Sequence, residues 1–415
     1  MNVRSTLLRN VSMSLRLLRV LPLAAMLPYP LHAASTPPEW ESILDEARGQ
    51  AVYWHAWAGD TRINDYINWV KRRVRDEYEV ELVHVKIDDT GAAVSRVLAE
   101  RSAGNHDDGS IDLIWLNGEN FAAMKENDLL YGPFAERLPN FALTFPEHNP
   151  EVVTDFTLPT EGYESPWGKA QITFYYDAGE VGDEPPRSMT QLLTWAEANP
   201  GRFTYPRLPD FLGSTFLKQA LIALVDDSDA LYEPVAQSDF EDVTAPLWEY
   251  LDALHPHLWR SGRQFPANGP ELRRLMADGE VALAFTFNPA EPAAAVADFE
   301  LPETTRSYVL DGGTLGNVHF VAIPFNSPRR AAAMVVADFL LSPEAQARKQ
   351  DISVWGDPTV LDVTRLDAET RALFEQARDN PALLAPEALT ETLPEPHPSW
   401  MTALQDAWQA RYVGR

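Results

Sequence analysis

Three times between residues 51 and 126 the chain runs through an apolar stretch, a polar loop and an amphipathic stretch, and this order constrains its fold more than any other feature. The first copy is Ala51-Val52-Tyr53-Trp54, the loop His55-Ala56-Trp57-Ala58-Gly59-Asp60, and then Ile63, Tyr66, Ile67, Val70 and Val74 at the spacing of one helix face. Asp60 is placed to cap that helix. The second copy has a nearly continuous apolar run over 80–87, then Asp88-Asp89-Thr90 ahead of a helix with Val94, Val97 and Leu98. The third has Ile111-Asp112-Leu113-Ile114-Trp115-Leu116, the loop Asn117-Gly118-Glu119-Asn120, and a helix through Phe121 and Met124. Strand, loop and helix in repetition predict a parallel sheet with helices on its faces. Ligands of such sheets meet the loops at the C-terminal ends of the strands, which here carry His55, Trp57, Asn117, Glu119 and Asn120.

At 415 residues the chain exceeds what one core can organise, so two α/β lobes are expected. The stretch GYESPWGKAQITFYYD at 162–177 reads as a crossing between them. Its second half is the β-branched and aromatic run of a buried strand. Pro166 and Gly168 bracket Trp167, which argues against regular structure there and predicts Trp167 on the cleft wall. Further on, 203–206 reads as a strand end, Ser214-Thr215 opens a helix, and a strand over 281–287 stops at Asn288-Pro289-Ala290-Glu291. A Gly-rich turn and strand cover 312–324, Ser327-Pro328 and Ser342-Pro343-Glu344 begin helices, and Ser399 caps a last one.

Arg4, Arg9, Arg16 and Arg19, an apolar region of about a dozen residues and Ala33-Ala34 give 1–34 the form of a secretory signal peptide. That apolar region is too short for a membrane anchor, which needs about 20 residues. The net charge is −27, and the chain beyond residue 34 carries 30 basic against 61 acidic residues, a surface that repels nucleic acid and anionic lipid. With no cysteine, disulfides, thiolate metal sites and a lipid-modified N-terminal cysteine are excluded.

The segment GNVHFVAIPFNSPRRAAAMVVADFLLSPEA at 316–345 resembles a strand, turn, helix and "FLLSPEAQ" sequence of the extracellular solute-binding proteins of bacterial ABC importers. IDLIWLNGENFAAMKENDLLYGPF at 111–134 is similar to that family's strand, helix and "GLL-x-P" exit, 162–177 to its first interlobe crossing, and 279–290 to a later strand with its Asn-Pro turn. The chain looks closest to an uncharacterised branch near the thiamine-, iron- and polyamine-type binders. Its LL-Y-G-P pattern and the Pro-rich segment before Gly162 depart from the best-known members, so their ligands do not transfer. The resemblance implies a two-lobed periplasmic binding protein fold of type II, each lobe a mainly parallel sheet flanked by helices, joined by hinge crossings. It divides the chain into 35–161 with 308–343 as lobe 1, and 162–307 with 344–415 as lobe 2. It also implies a periplasmic monomer that hands a small solute to a membrane permease without inserting in the membrane; the acidic chain favours a cationic solute, and Trp57 a cationic or ring-containing one.

Ligand contacts must come from both lobes, because only a ligand that favours the closed state shifts the equilibrium towards it. The expected contacts are His55, Trp57, Asn117 and Glu119 on one side, Trp167 at the crossing, Ser214, Thr215 and Asn288 on the other, and Trp355 from Trp355-Gly356-Asp357. Trp57 offers a stacking wall for a ring or a cation. Tyr175-Tyr176 bring to mind paired iron-binding tyrosines, but strand alternation points them to opposite faces. No HExxH, GxSxG, GxGxxG or Walker sequence occurs, and neither metal nor cofactor is expected. The rival reading is a secreted carbohydrate-active hydrolase or lyase using scattered carboxylates such as Glu119 and Asp177.

Overall fold

The computed structural model describes residues 38–375, 380–389 and 392–413; the signal peptide expected over 1–34 lies outside them. The first lobe begins with α1 (Pro38–Ala47), β1 (Ala51–Trp57), α2 (Thr61–Tyr78), β2 (Glu81–Ile87), α3 (Thr90–Ser102), β3 (Leu113–Leu116) and α4 (Glu119–Glu126). A small hairpin of β4 (Thr154–Asp155) and β5 (Leu158–Pro159) precedes the crossing strand β6 (Glu164–Gln171). The second lobe holds β7 (Thr173–Asp177), α5 (Ala178–Val181), α6 (Met189–Ala198), α7 (Phe211–Leu224), α8 (Phe240–Leu254), α9 (Gly269–Ala277), β8 (Leu283–Thr286), α10 (Glu291–Ala297) and β9 (Thr305–Tyr308). The chain returns through β10 (Thr314–Ala322) to α11 (Arg330–Leu341), α12 (Pro343–Gln350) and α13 (Ala368–Ala372), and ends with β11 (Thr392–Leu393) and α14 (Pro398–Tyr412).

The three expected strand-loop-helix units form as read. β1 lies parallel to β2 and β3, and β10 completes the sheet antiparallel to β3 and to β6, with β11 on its outer end. The strand period of two puts Val52, Trp54 and Ala56 of β1 on one face, where they meet Ile67 and Val70 of α2 and Val336 and Leu340 of α11, all fully buried. The opposite face carries Ile114 and Leu116 of β3 against Val97 of α3 and Phe121 and Met124 of α4. Each such aliphatic side chain contributes about 1.5–3 kcal/mol by leaving water. A separate core fills the second lobe, from Phe174 and Phe285 on its sheet to Phe216, Leu251 and Trp408 on its helices.

The α/β two-lobed fold is present, and several details differ from expectation. The second-lobe sheet, in the order β8-β7-β9, is antiparallel at both pairings. β7 follows β6 after the single residue Ile172, so it runs down the middle of the new sheet while both neighbours come back towards the first lobe. The 203–206 stretch joins no ladder, although Phe203 and Tyr205 are fully buried. Pro166-Trp167-Gly168 does belong to a strand, against expectation: Phe320 pairs with Pro166 and His319 with Gly168, so Trp167 is the extra residue of a bulge. The bulge accommodates the proline, which has no N–H for the ladder. α11 starts at Arg330 rather than after Ser327, and His397 rather than Ser399 caps α14; Ser342 caps α12 as expected.

The packing also places the lobe boundaries elsewhere than 162 and 344. β6 lies in the first sheet, and Ala345, Trp355, Val360, Leu361 and Phe374 all pack in the first core. α14 belongs to the second core through Trp400, Leu404 and Trp408. Tyr175 and Tyr176 are buried among second-lobe side chains, away from the cleft.

Candidate binding cleft

A cavity of about 550 Å³ opens between the two lobes. Its first wall is the row of loops after β1, β2 and β3, which brings Trp57, Asp60, Asp88, Asp89, Asn117 and Glu119 together. Trp57 folds back over its own loop, which only a glycine permits: a Cβ on Gly59 would lie 2.2 Å from Trp57 Cζ2. Gly118 adopts φ 59° and gives its N–H to the buried Asp155 at 2.7 Å, which fixes the start of α4 and hence Asn117 and Glu119. The second wall comes from the N-terminal ends of α7 and α9 and the turn after β8, with Asp210, Phe211, Asn268, Phe287, Asn288 and Glu291. Trp115, His319, Trp355 and Asp357 form the floor.

Five of the expected contacts meet in this space: Trp57, Asn117, Glu119, Asn288 and Trp355. The other four do not line it. β1 continues to Trp57, three residues beyond the strand expected from sequence, so His55 lies inside the strand rather than in the loop. Burial there lowers its pKa, and the charges it feels are those of Asp112, Arg96 and Glu100. Trp167 is fully buried one layer below the floor, edge-on to Trp115 with ring centroids 4.8 Å apart and 5.4 Å from Trp355. Ser214 and Thr215 sit one turn inside α7 and donate to the carbonyls of Asp210 at 3.0 Å and Phe211 at 2.7 Å. The cap is Asp210, which accepts from Leu212 N at 2.9 Å and Gly213 N at 3.2 Å. Asn288 is engaged at both ends, accepting from Ala290 N at 3.0 Å and donating to Trp355 O at 3.3 Å.

The chemistry of the walls is acidic and aromatic. Several helices start at the cleft, and a bare helix N-terminus attracts anions. At the starts of α2, α3 and α9 side chains accept the free N–H groups, Asp60 from Arg62 N at 2.7 Å, Asp89 from Gly91 N at 3.1 Å and Asn268 from Glu271 N at 3.0 Å, whereas α4 and α10 begin without a side-chain cap and carry Glu119 and Glu291 in their first turns. The lining contains seven carboxylates (Asp60, Asp88, Asp89, Glu119, Asp210, Glu291 and Asp357) against two guanidinium groups, Arg62 and Arg207. Arg273 lies against Asp60 at 3.4 Å and also holds Glu291, while Lys349 holds Asp357. Burial pushes the Glu119 carboxyl up to about 7 and Asp210 to about 6, the latter opposed by its two cap hydrogen bonds. Two ion pairs bridge the lobes at the mouth, Asp60 with Arg273 and Arg62 with Asp298.

Sequence reading missed His319, Asp357, Trp115, Asp210 and Phe211. Asp357 was two residues from the singled-out Trp355, and Asp210 one turn ahead of Ser214. His319 left no local signal, because it lies in the middle of an apolar strand.

Two α/β lobes with separate cores, joined by antiparallel crossing strands and enclosing a solute-sized cleft, define a two-lobed periplasmic binding protein. Residues 73–375 match the family model described as bacterial extracellular solute-binding protein. Protein YnjB of Escherichia coli (strain K12) is 46% identical over 375 residues, covering 90% of this chain and 94% of that one. Among solved structures, an ABC transporter solute-binding protein from Thermotoga lettingae bound with alpha-D-tagatose superposes with a TM-score of 0.64 at 16% identity, over 88% of this chain and 95% of that one. A putative spermidine/putrescine ABC transporter protein from Listeria monocytogenes gives 0.61 at 15% identity, over 88% and 98%. The chain belongs to the bacterial extracellular solute-binding family, and its place of work is the periplasm. Among the described residues no helix is long and apolar enough to cross a membrane.

Proposed function

We propose that this protein is the solute-capturing component of an ABC importer and that its solute is a small organic cation with an apolar or ring-shaped body. The observation that carries the solute class is the acidic excess of the cleft, together with the starts of α2, α3, α7 and α9, whose N–H groups are taken up by carboxylate and amide caps. Asp88, Asp89, Glu119 and Asp210 have no ion-pair partner among the described residues, so a guest cation is the group that balances them. Trp57, Phe211 and Phe287 supply aromatic surface for its body. Proteins of this fold include one bound with alpha-D-tagatose and one described as a putative spermidine/putrescine transporter, so the fold leaves the solute open and the lining has to decide it.

Binding without chemistry is part of this reading. The rival hydrolase or lyase would draw on scattered carboxylates such as Glu119 and Asp177; of these, Asp177 caps α5, accepting from Gly179 N at 2.8 Å, and does not line the cleft. A melting-temperature screen of the mature chain against polyamines, heteroaromatic cations, neutral sugars and sugar phosphates tests the proposal. A solute at 100 times its dissociation constant adds about 2.7 kcal/mol. Cations are expected to raise the melting temperature and to be recovered intact; a response confined to sugar phosphates, or conversion of the solute, would refute it.

A further inference from the structure

We propose that His319 is the specificity-determining residue of the cleft floor: it presents an unprotonated Nδ1 that accepts a hydrogen bond from an N–H of the solute, with Asp357 and Lys349 as the positioning residues behind it. This deepens the cation reading and rests on it. Lys349, behind the floor, is fully buried. Its ammonium has three protons and three acceptors: Asp357 Oδ2, Asp357 O at 3.2 Å and Pro358 O at 3.0 Å. A buried ammonium satisfied in this way balances the single charge of the Asp357 carboxylate.

Asp357, itself buried, also meets His319 Nε2 at 3.2 Å. A carboxylate kept ionised by Lys349 only accepts, so Nε2 carries the proton. A second proton on the ring would add a positive charge beside an Asp357 carboxylate whose single charge Lys349 already balances. The neutral imidazole therefore has its lone pair on Nδ1, and His319 lines the cleft. Three indoles hold the ring in place: Trp355 lies nearly parallel to it at 17°, and the centroids of Trp115 and Trp167 are each 5.2 Å away. Gly168 completes the fit, since a Cβ there would fall 1.9 Å from His319 Nε2 and 2.1 Å from Asp357 Oδ2.

An acceptor fixed in this way separates two kinds of cation that charge alone does not. A protonated amine offers an N–H to Nδ1, whereas a permethylated ammonium ion of the same charge has none and leaves the acceptor unpaired. The test uses the mature chain with benzylammonium and benzyltrimethylammonium as probes, followed by tryptophan fluorescence, and ¹⁵N-histidine NMR at pH 7 with the His319 signals assigned by their loss in His319→Phe. The wild type is expected to bind benzylammonium at least tenfold more tightly than its trimethyl counterpart, and to show Nε2 protonated and Nδ1 bare. His319→Phe should bind the two probes alike, and His319→Gln, which restores an acceptor oxygen, should recover part of the preference. A protonated Nδ1, or a preference undiminished in His319→Phe, overturns the role of His319 and leaves the cation reading standing. Failure of the wild type to bind either probe overturns both.

Discussion

The floor of the cleft and its acidic walls handle charge in opposite ways. On the floor every charge has its counter-charge inside the protein: Lys349 against Asp357, with His319 hydrogen-bonded to the same carboxylate and indole rings on three sides. Along the walls Asp88, Asp89, Glu119 and Asp210 face the cavity without such partners among the described residues, and burial has driven the last two towards their neutral forms. The difference teaches that the floor is finished before a solute arrives and fixes orientation, while the walls are completed by it. Substitutions on the floor should therefore cost stability, and substitutions on the walls should cost affinity.

The largest effect is expected from Lys349→Met, which strands Asp357 as an unpaired buried charge and should destabilise the protein by about 3–5 kcal/mol in urea unfolding. A loss below about 1 kcal/mol would mean that the floor is not the pre-balanced region described. Gly168→Ala comes next. Overpacking of this kind costs about 1–3 kcal/mol, and here it should also abolish solute binding by displacing His319. Trp57→Ala on the wall should weaken binding at least tenfold, about 1.4 kcal/mol, with little change in stability. Thr215→Ala sharpens the contrast from the other side: it should cost about 1 kcal/mol of stability by removing a buried hydroxyl bonded within α7, and leave affinity unchanged.

A further expected effect is a pH slope in the unliganded protein. Glu119 has a folded pKa of about 7 against an ordinary 4.5, so the folded state holds more protons than the unfolded one between those values. Stability then falls as pH rises through that window, and levels off above it. Glu119→Gln should flatten that part of the slope, measured as melting temperature between pH 4.5 and pH 7.5. A bound cation should reverse it, since it favours the ionised carboxylate.

The first wall was legible in sequence because a parallel strand with its following helix leaves a periodic trace, and the loop between them is where such sheets bind. Trp57, Asn117 and Glu119 were reached that way. The second wall was read less well, since its α7 start depends on where the helix begins: Ser214-Thr215 looks like a cap, but Asp210 four residues earlier takes that role. The floor was nearly silent. His319 occupies one position of a buried strand, Lys349 one position of a charged helix, and Asp357 a turn, and only the return of β10 beside β6 brings them under the cleft. Trp167 was singled out correctly as unusual and placed on the wrong layer, because its bulge turns the indole into the core below the cleft.

The most direct test of the account is a calorimetric titration of the mature protein, from pH 5 to pH 8, with the solute that the melting screen selects. The expected solute is positively charged at neutral pH and binds at a one-to-one ratio, with affinity that rises as Glu119 and Asp210 ionise. Selection of an anion, or affinity that falls across that range, would contradict it.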